Sequence, residues 1–275
     1  MKKIVGFLLV FLAGVAAFAY DVTADYQIKG KAKTVTRIDY EISSKFGEYF
    51  RTPNSKVVYK YDAYGKLIES SAFNAKDLLL NKIVNIYNDD GLLLEQAGYD
   101  SESVLSWEAV FTYKNGKKTD VSEYGADGSI RNKVIYNYEG NNLSEETVYN
   151  SDGALVGKLI YKYEGGKLAR EYEYFADGSL DTEKQYSYTP SGKKDTIVTI
   201  KADGEVAKKE VFRYGANETL SEITTYSADN KTESRMIIKF DEKGNFKKMT
   251  NYTVANKFGT TVNEMSAMTE VSYEY

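Results

Sequence analysis

The stretch from Leu155 to Tyr174 reads LVGKLIYKYEGGKLAREYEY, two alternating segments joined by Gly165-Gly166. Aromatic residues of this stretch recur every 25 or 26 residues along the chain. The first ladder is Tyr61, Tyr87, Tyr113, Tyr138, Tyr163, Tyr188, Tyr214 and Phe240. The second is Phe73, Tyr99, Tyr124, Tyr149, Tyr174, Ile200, Tyr226 and Tyr252. Such a period is typical of stacked supersecondary units that bury a continuous face only as an array.

The spacing within each unit identifies its two halves as strands. Each second-ladder residue lies 14 residues before the next first-ladder residue, and the return gap is 11 or 12 residues. Short gaps contain turns such as Asn115-Gly116, which suit two-residue hairpins, and long gaps contain four-residue turns such as 62–65. The sequence therefore predicts an all-β fold, an antiparallel meander of tandem two-strand repeats that forms one long curved or solenoid-like sheet. Tight turns are expected near Gly65, Asp77, Gly91, Gly116, Asp127, Gly140, Asp152, Gly165, Asp177 and Gly192.

Alternation of side chains predicts an aromatic face and a charged face. Counting by twos from Leu155 to Tyr163, and past the turn through Arg170 to Tyr174, places most large apolar residues on one side. The opposite side carries lysine and glutamate together with a β-branched stripe, which favours a sheet without requiring burial. The stripe consists of Val58, Val84, Val110, Ile135, Ile160, Val211 and Ile237.

The ends of the chain differ from the repeats. Residues 1–19 have the pattern of a signal peptide, with Lys2-Lys3, an apolar run and Ala17-Phe18-Ala19 before the expected cleavage. Residues 20–54 are interpreted as an N-terminal cap, 55–254 as eight repeats of 25–26 residues, and 255–275 as a C-terminal capping strand. Cleavage would leave 34 basic and 40 acidic residues, a balance that argues against a nucleic-acid partner. We expect an exported chain with no membrane span after cleavage.

The repeat also resembles a known family. The segments 59–67, YKYDAYGKL, and 161–168, YKYEGGKL, resemble the Y-x-Y-D-x-x-G-x-L element of YD repeats, whose family includes the Rhs proteins. The resemblance covers residues near 57 to 252. It implies long antiparallel sheets that form shells or scaffolds at the bacterial surface. Unlike large Rhs proteins, this chain has longer units, is too short to enclose a toxin and shows no toxin domain after the repeats.

Residue chemistry narrows the possible sites. The chain has no His and no Cys, which excludes a Ser-His-Asp triad, a cysteine nucleophile and zinc bound through nitrogen or sulfur. A column of acidic residues recurs with the repeat. Two nearby carboxylates could serve glycosidase chemistry, but because every member recurs and none differs from the others, the column is interpreted as structural. Its members are Glu69, Glu95, Asp120, Glu145 and Glu222, placed by alternation on the aromatic face. The turns 88–91 and 151–153 offer oxygen ligands but lack the ordered ligand series of a calcium loop.

These observations predict no catalytic, cofactor-binding or metal-binding residue and no cofactor. We expect an exported β-repeat protein with a non-enzymatic binding or scaffolding role at the cell envelope or surface, whose partner is an unknown protein or glycan. Two alternatives stay open. One is an outer-membrane β-barrel, suggested by the alternating ending 271–275, VSYEY. The other is a carbohydrate-binding or carbohydrate-active protein that uses tyrosine platforms and carboxylates.

Overall fold

A computed structural model of the chain describes residues 28–215, 218–257 and 260–275. The predicted signal peptide lies outside the described residues. Within them the chain forms eighteen β-strands and no helix. The strands are β1 Thr34–Lys45, β2 Glu48–Tyr61, β3 Leu67–Asn74, β4 Leu79–Tyr87, β5 Leu93–Asp100, β6 Leu105–Lys114, β7 Lys117–Gly125, β8 Ile130–Glu139, β9 Asn142–Asn150, β10 Leu155–Glu164, β11 Lys167–Phe175, β12 Leu180–Tyr188, β13 Lys194–Lys201, β14 Val206–Tyr214, β15 Leu220–Ser227, β16 Thr232–Phe240, β17 Phe246–Lys257 and β18 Thr260–Glu274.

The antiparallel meander is confirmed, but the expectation of an open, solenoid-like sheet is wrong. Each strand pairs with its neighbours in chain order, and β1 also pairs antiparallel with β18, from Thr34 opposite Glu274 to Glu41 opposite Ala267. This pairing closes the sheet into a barrel. The segments interpreted as terminal caps therefore contribute strands that lie side by side.

Polar contacts hold the closing seam together. Asp39 accepts a hydrogen bond from the Thr269 hydroxyl at 2.6 Å and is ion-paired with Arg37 at 3.1 Å, and both members of this ion pair are buried. The backbone amide of Lys33 donates to the Glu274 carbonyl at 2.7 Å. Satisfied polar groups on both sides of the seam favour the closed register over a frayed edge.

The predicted turns are confirmed, and each hairpin contains one additional feature. Asn115 and Gly116 both have positive φ, 53° and 74°, as a two-residue hairpin turn requires. Every hairpin pairing also shows a register shift, which lies close to the turn except in the β1–β2 and β17–β18 hairpins. In the first repeat Lys60 lies opposite Glu69 and Tyr61 lies opposite Leu67, so Ile68 is an extra residue without a partner.

These bulges explain why the sheet closes. A β-bulge bends its strand and increases the local right-handed twist. Register shifts occur at both ends of the repeat, for example between Lys162 and Tyr163 and between Glu173 and Tyr174. Curvature therefore accumulates from hairpin to hairpin until β18 meets β1, a pairing that has no register shift.

The first tyrosine ladder fastens successive hairpins to one another. The hydroxyl of Tyr87 donates to the carbonyl of Leu67, the residue before the bulge, at 2.8 Å, and Tyr113 donates to Leu93 at 2.9 Å. The same contact recurs at Tyr188 and Tyr214. A lysine from the preceding turn lies over the rings of Tyr87, Tyr188 and Tyr214. The Lys66 ammonium, for example, is 5.4 Å from the centroid of the Tyr87 ring.

Crowding identifies the inner and outer faces of the barrel. We call the side that carries Tyr61, Val121 and Val134 the lumen face, and the side that carries Val58 and Val110 the outer face. Val121 and Val134 are each 1% exposed, whereas Val110 is 37% exposed. Side chains converge on the concave side of a closed sheet and spread apart on its convex side, so the crowded face lines the interior.

The handedness of the sheet gives the same assignment. The Tyr61 amide donates to the Lys33 carbonyl, so lumen-face residues of β2 direct their backbone groups towards β1. A path that steps from a residue of β2 to its partner on β3, and so on from strand to strand around the barrel, arrives back on β2 at a residue nearer its N-terminal end. With L-residues and right-handed strand twist, this combination places the Tyr61 side of β2 inside.

Removal of the closing strand should be far more damaging than removal of a whole repeat. Deletion of residues 260–275 would expose the edges of β1 and β17, and unpaired edges aggregate. Deletion of residues 138–162 removes one full period and preserves the alternation of faces on both sides of the cut. We expect the first variant to aggregate and the second to remain soluble, as measured by light scattering and thermal melting. Equal behaviour of the two deletions would contradict the closed sheet.

Loss of one hydroxyl of the first tyrosine ladder should lower the stability of the fold by a small, measurable amount. The change Tyr113→Phe removes the hydrogen bond to the Leu93 carbonyl and should lower the free energy of unfolding by about 1 kcal/mol. Tyr163→Phe is the matched control, because the described structure gives the Tyr163 hydroxyl no equivalent bond. Denaturant melts of the two variants should differ, and identical midpoints would show that the anchor bond contributes nothing.

Candidate functional site

The predicted carboxylate column lies on the outer face, not on the aromatic face. Glu69 lies opposite Lys60 and Val84, and Glu145 lies opposite Asn137 and Ile160. The bulge after each turn is the reason, because its extra residue shifts the alternation by one position. Glu95, Asp120 and Glu222 follow the same rule. The prediction that placed these five residues beside the aromatic anchors is therefore wrong.

The outer face carries ion pairs throughout. Lys60 contacts Glu69 at 2.8 Å, Lys133 contacts Asp120 at 3.2 Å, and two Arg235 nitrogens contact Glu222 at 3.1 and 2.9 Å. Hydrogen bonds from Lys60 hold the pKa of Glu69 below its usual value, as those from Arg235 do for Glu222. Lys60 and Arg235 thus favour the ionised forms of Glu69 and Glu222, which is a structural role and one compatible with water.

The second ladder also lies on this outer face. Lys82 is positioned over the ring of Tyr99 with its ammonium 5.2 Å from the centroid, and Lys209 over Tyr226 at 4.8 Å. These pairs join directly opposed residues of neighbouring strands. In each pair the lysine ammonium lies over the tyrosine ring as a cation–π contact.

The lumen face contains two separate apolar clusters, with charged residues such as Glu123 and Glu210 between and beside their members. The first spans β4 to β9 and the second β12 to β18. Buried members of the first are Ile83, Trp107, Ala109, Val121, Val134 and Tyr136, and those of the second are Ile197, Phe212, Leu220, Ile223, Met236, Ile238, Phe246 and Met249. The members of each cluster lie on adjacent strands and contact one another there, so each cluster stabilises its own part of the sheet.

Gly98 provides space for the only tryptophan of the chain. Trp107 lies directly opposite Gly98 on β5 and opposite Gly125 on β7. A Cβ atom at position 98 would come within 2.1 Å of the Trp107 indole nitrogen. The indole therefore lies flat against the glycine backbone and fills the lumen wall there.

A polar group of residues separates the two apolar clusters. We call it the lumen carboxylate cluster, and it comprises Lys118, Glu146, Tyr161, Glu171, Lys184 and Tyr186. The Tyr161 hydroxyl donates to Glu146 Oε1 at 3.0 Å. One repeat further on, the Tyr186 hydroxyl donates to Glu171 Oε2 at 3.1 Å and Lys184 Nζ donates to Glu171 Oε1 at 2.6 Å. The Lys118 ammonium lies over the Tyr136 ring, 3.9 Å from its centroid.

Burial dominates the electrostatics of this cluster. It raises the pKa of Glu146, an effect partly opposed by the hydrogen bond from Tyr161 and the charge of Lys118. Burial and the neighbouring carboxylates raise the pKa of Tyr161, and the pKa of Lys118 is lowered by burial. Glu146 is 7% exposed, and its Oε2 atom has no hydrogen-bond donor in the described structure.

Simple alternation of side chains does not predict this cluster, because the bulge shifts the inward-facing positions by one residue. Alternation placed Arg170, Tyr172 and Tyr174 beside Tyr161, whereas Tyr161 lies opposite Glu171, and Arg170 and Tyr172 point outward. A recount that skips one residue after each turn would have assigned Glu146 and Glu171 to the aromatic face. The signal was thus present in the sequence as the 14-residue half-period combined with the extra residue.

The turns considered for calcium use their oxygens internally. Asn88 Oδ1 accepts from the Leu92 amide at 2.8 Å, and Asn150 Oδ1 accepts from the amides of Asp152 and Ala154. Among the described residues, no group of three or more Asp or Glu side chains is placed to hold a metal ion. The described part of the chain also contains no helix long and apolar enough to cross a membrane.

Comparison with known proteins identifies the fold class. No family model and no curated protein matches the chain. A porin-like protein from Bacteroides uniformis ATCC 8492 superposes with a TM-score of 0.51 at 14% identity, over 90% of this chain and 99% of that protein. One from Bacteroides vulgatus ATCC 8482 gives 0.35 at 10% identity, over 88% and 98%. The first likeness assigns this chain to the antiparallel β-barrels of the porin-like kind, as a fold.

A third solved structure bears on the resemblance to YD repeats. TcdB2-TccC3 without its hypervariable C-terminal region gives a TM-score of 0.30 at 11% identity, over 78% of this chain and 16% of that protein. A TM-score this low does not establish a common fold. The relationship to YD-repeat and Rhs proteins therefore stays a prediction from the residue motif.

Neutralisation of Glu146 should change the pH dependence of stability. Because its pKa is higher in the folded chain, its stabilising contribution is present below the ordinary glutamate pKa and is lost as the pH rises through the folded value. Glu146→Gln should therefore match the parent at pH 4 and melt a few degrees higher at pH 8, since one pKa unit corresponds to about 1.4 kcal/mol. Glu145→Gln, on the outer face of the same strand, is the control and should show no such gain. A lower melting temperature for Glu146→Gln at pH 8 would contradict the assignment.

Proposed function

We propose that this protein is an exported, non-enzymatic barrel of the cell envelope that stands in water and binds an elongated apolar molecule in its lumen. The observation that carries the proposal is the polarity of the wall. Buried apolar and aromatic clusters lie on the inside, beside charged pairs such as Lys184–Glu171 and Lys208–Glu210, and ion pairs recur on the outside. Ligand sites are typically concave, mostly apolar and equipped with a few polar groups, which is the arrangement of the lumen face.

The dimensions of the barrel are compatible with this role. For a circular cross-section, eighteen strands spaced about 4.8 Å apart and tilted to the axis correspond to a barrel about 35 Å across between backbones. Large side chains narrow that space from all sides. An acyl or other extended apolar chain could lie against either apolar cluster, with its polar end at the lumen carboxylate cluster between them.

A membrane channel is the second candidate, and the likeness in fold to a porin-like protein favours it. Barrels of 16–18 strands leave aqueous channels in outer membranes. The outer face argues against lipid contact, because an Arg or Lys on the lipid face costs about 2–4 kcal/mol at the bilayer midplane. Lys82, Lys133, Arg170 and Arg235 all project from the outer face.

Two measurements on the mature chain test the proposal. First, the protein should be released from membranes by alkaline carbonate and remain monodisperse without detergent. Second, it should bind the apolar fluorophore N-phenyl-1-naphthylamine with a saturable rise in fluorescence. Retention in the carbonate-washed membrane, or a requirement for detergent, would favour the channel and overturn the proposal.

A matched pair of variants locates the bound probe. Leu159 and Ile160 are neighbours on β10, both half-buried, with Leu159 on the lumen face and Ile160 on the outer face. Leu159→Gln should weaken fluorophore binding about tenfold, because one apolar contact of about 1.5 kcal/mol is lost. Ile160→Gln should leave it unchanged. Equal effects of the two changes would place the probe outside the lumen.

A further inference from the structure

Two successive repeats place an equivalent glutamate and tyrosine on the lumen face but differ at the position opposite the glutamate. Glu146, Leu159 and Tyr161 correspond, 25 residues further on, to Glu171, Lys184 and Tyr186. Each glutamate accepts from the tyrosine of the next hairpin, and each lies directly opposite the position occupied by Leu159 or Lys184. The second repeat supplies an ammonium at that position, and the first supplies a leucine.

The missing ammonium leaves an unsatisfied acceptor. Glu171 has both oxygens bonded, one to Tyr186 and one to Lys184. Glu146 has Oε1 bonded to Tyr161, but its Oε2 is buried with no donor among the described residues. A buried carboxylate oxygen without a donor is costly, and native structures rarely tolerate one without a reason.

No described cation nearby replaces the missing donor. Lys118 acts on Glu146 through its charge, but its ammonium lies over the Tyr136 ring. Lys184 is engaged by Glu171 at 2.6 Å. The adjacent repeat shows how such a glutamate is satisfied: the ammonium of Lys184, at the end of a flexible alkyl chain from the opposite strand, donates to Glu171.

We propose that the lumen recognises a primary alkylammonium. The ammonium of this ligand donates to Glu146 Oε2, as the Lys184 ammonium donates to Glu171, and its apolar chain lies on the lumen wall. The inference rests on the proposed lumen-binding function and specifies the ligand class of that site. Leu143 and Val148, which pack on the first apolar cluster from the strand that carries Glu146, provide apolar surface for the chain. The other orphaned polar atoms, Asn132 Oδ1 and Thr199 Oγ1, also belong to lumen-face residues.

The test compares three probes with the same chain and different polar ends: dodecylamine, dodecanol and dodecanoic acid, each at pH 7 and below its solubility limit or critical micelle concentration. Binding to the mature protein is followed by titration calorimetry and by fluorescence of Trp107, the single tryptophan, which lies on the lumen face in the first apolar cluster. We expect dodecylammonium to bind at least about tenfold more tightly than dodecanol, since a charge-assisted hydrogen bond is gained. Dodecanoate should bind more weakly than either.

Variants separate this site from general attraction to an acidic protein. Glu146→Gln should remove the preference for dodecylammonium and retain dodecanol binding. Glu145→Gln, one residue away on the outer face, should keep the preference. Leu159→Lys should rebuild the arrangement of the next repeat, remove the preference and raise the melting temperature, because the ammonium is then internal.

The outcomes distinguish the two proposals. If dodecanol binds and dodecylammonium binds no more tightly, or if Glu146→Gln keeps the preference, the alkylammonium inference is wrong and the lumen-binding function stands. If none of the three probes binds, the lumen-binding function fails and the inference fails with it. Preservation of the preference in Leu159→Lys would also overturn the assignment of the ammonium to Glu146 Oε2.

Discussion

The extra residue in every hairpin is the constraint on which the rest of the structure depends. In the first repeat it is Ile68, between two residues that face consecutive positions of β2. The bulge bends the strand, and repetition of the bend along the chain brings the last strand to the first. It also changes which side chains face inward after each turn. The Tyr87 hydroxyl bonds the Leu67 carbonyl beside this bulge, so the residue that marks the repeat also secures its curvature.

Closure gives the two faces unequal roles. On the convex side there is room for long charged side chains to pair across strands, as Arg235 does with Glu222. On the concave side large side chains lie closer together, and burial there raises the pKa of Glu146. A membrane barrel needs the reverse distribution, with an apolar band outside and polar groups inside. The barrel fold is shared with a porin-like protein from Bacteroides uniformis, and the outer face of this chain carries charged residues such as Lys82 and Arg235.

Departures from the repeat are more informative about function than the repeat itself. Most polar features recur from unit to unit and are satisfied by their neighbours. Glu146 and Glu171 occupy equivalent positions, yet only Glu171 has an ammonium partner, because Lys184 stands where the preceding repeat has Leu159. A repeat protein can acquire a specific site in this way, by one substitution that removes an internal partner and leaves the remainder of the constellation in place.

The sequence by itself determined the local structure: strands of about half a period, the positions of the turns and the antiparallel order of the meander. These follow from short-range chemistry, since the Asn115-Gly116 turn and the alternation along Leu155 to Tyr163 act over a few residues. Only the tertiary structure decided closure, because the meeting of β1 with β18 depends on curvature summed over all hairpins. It also decided the faces of Glu69, Glu146 and Glu171, because a bulge of one residue reverses every later side chain. Strict alternation of side chains along the sequence therefore could not predict the candidate site.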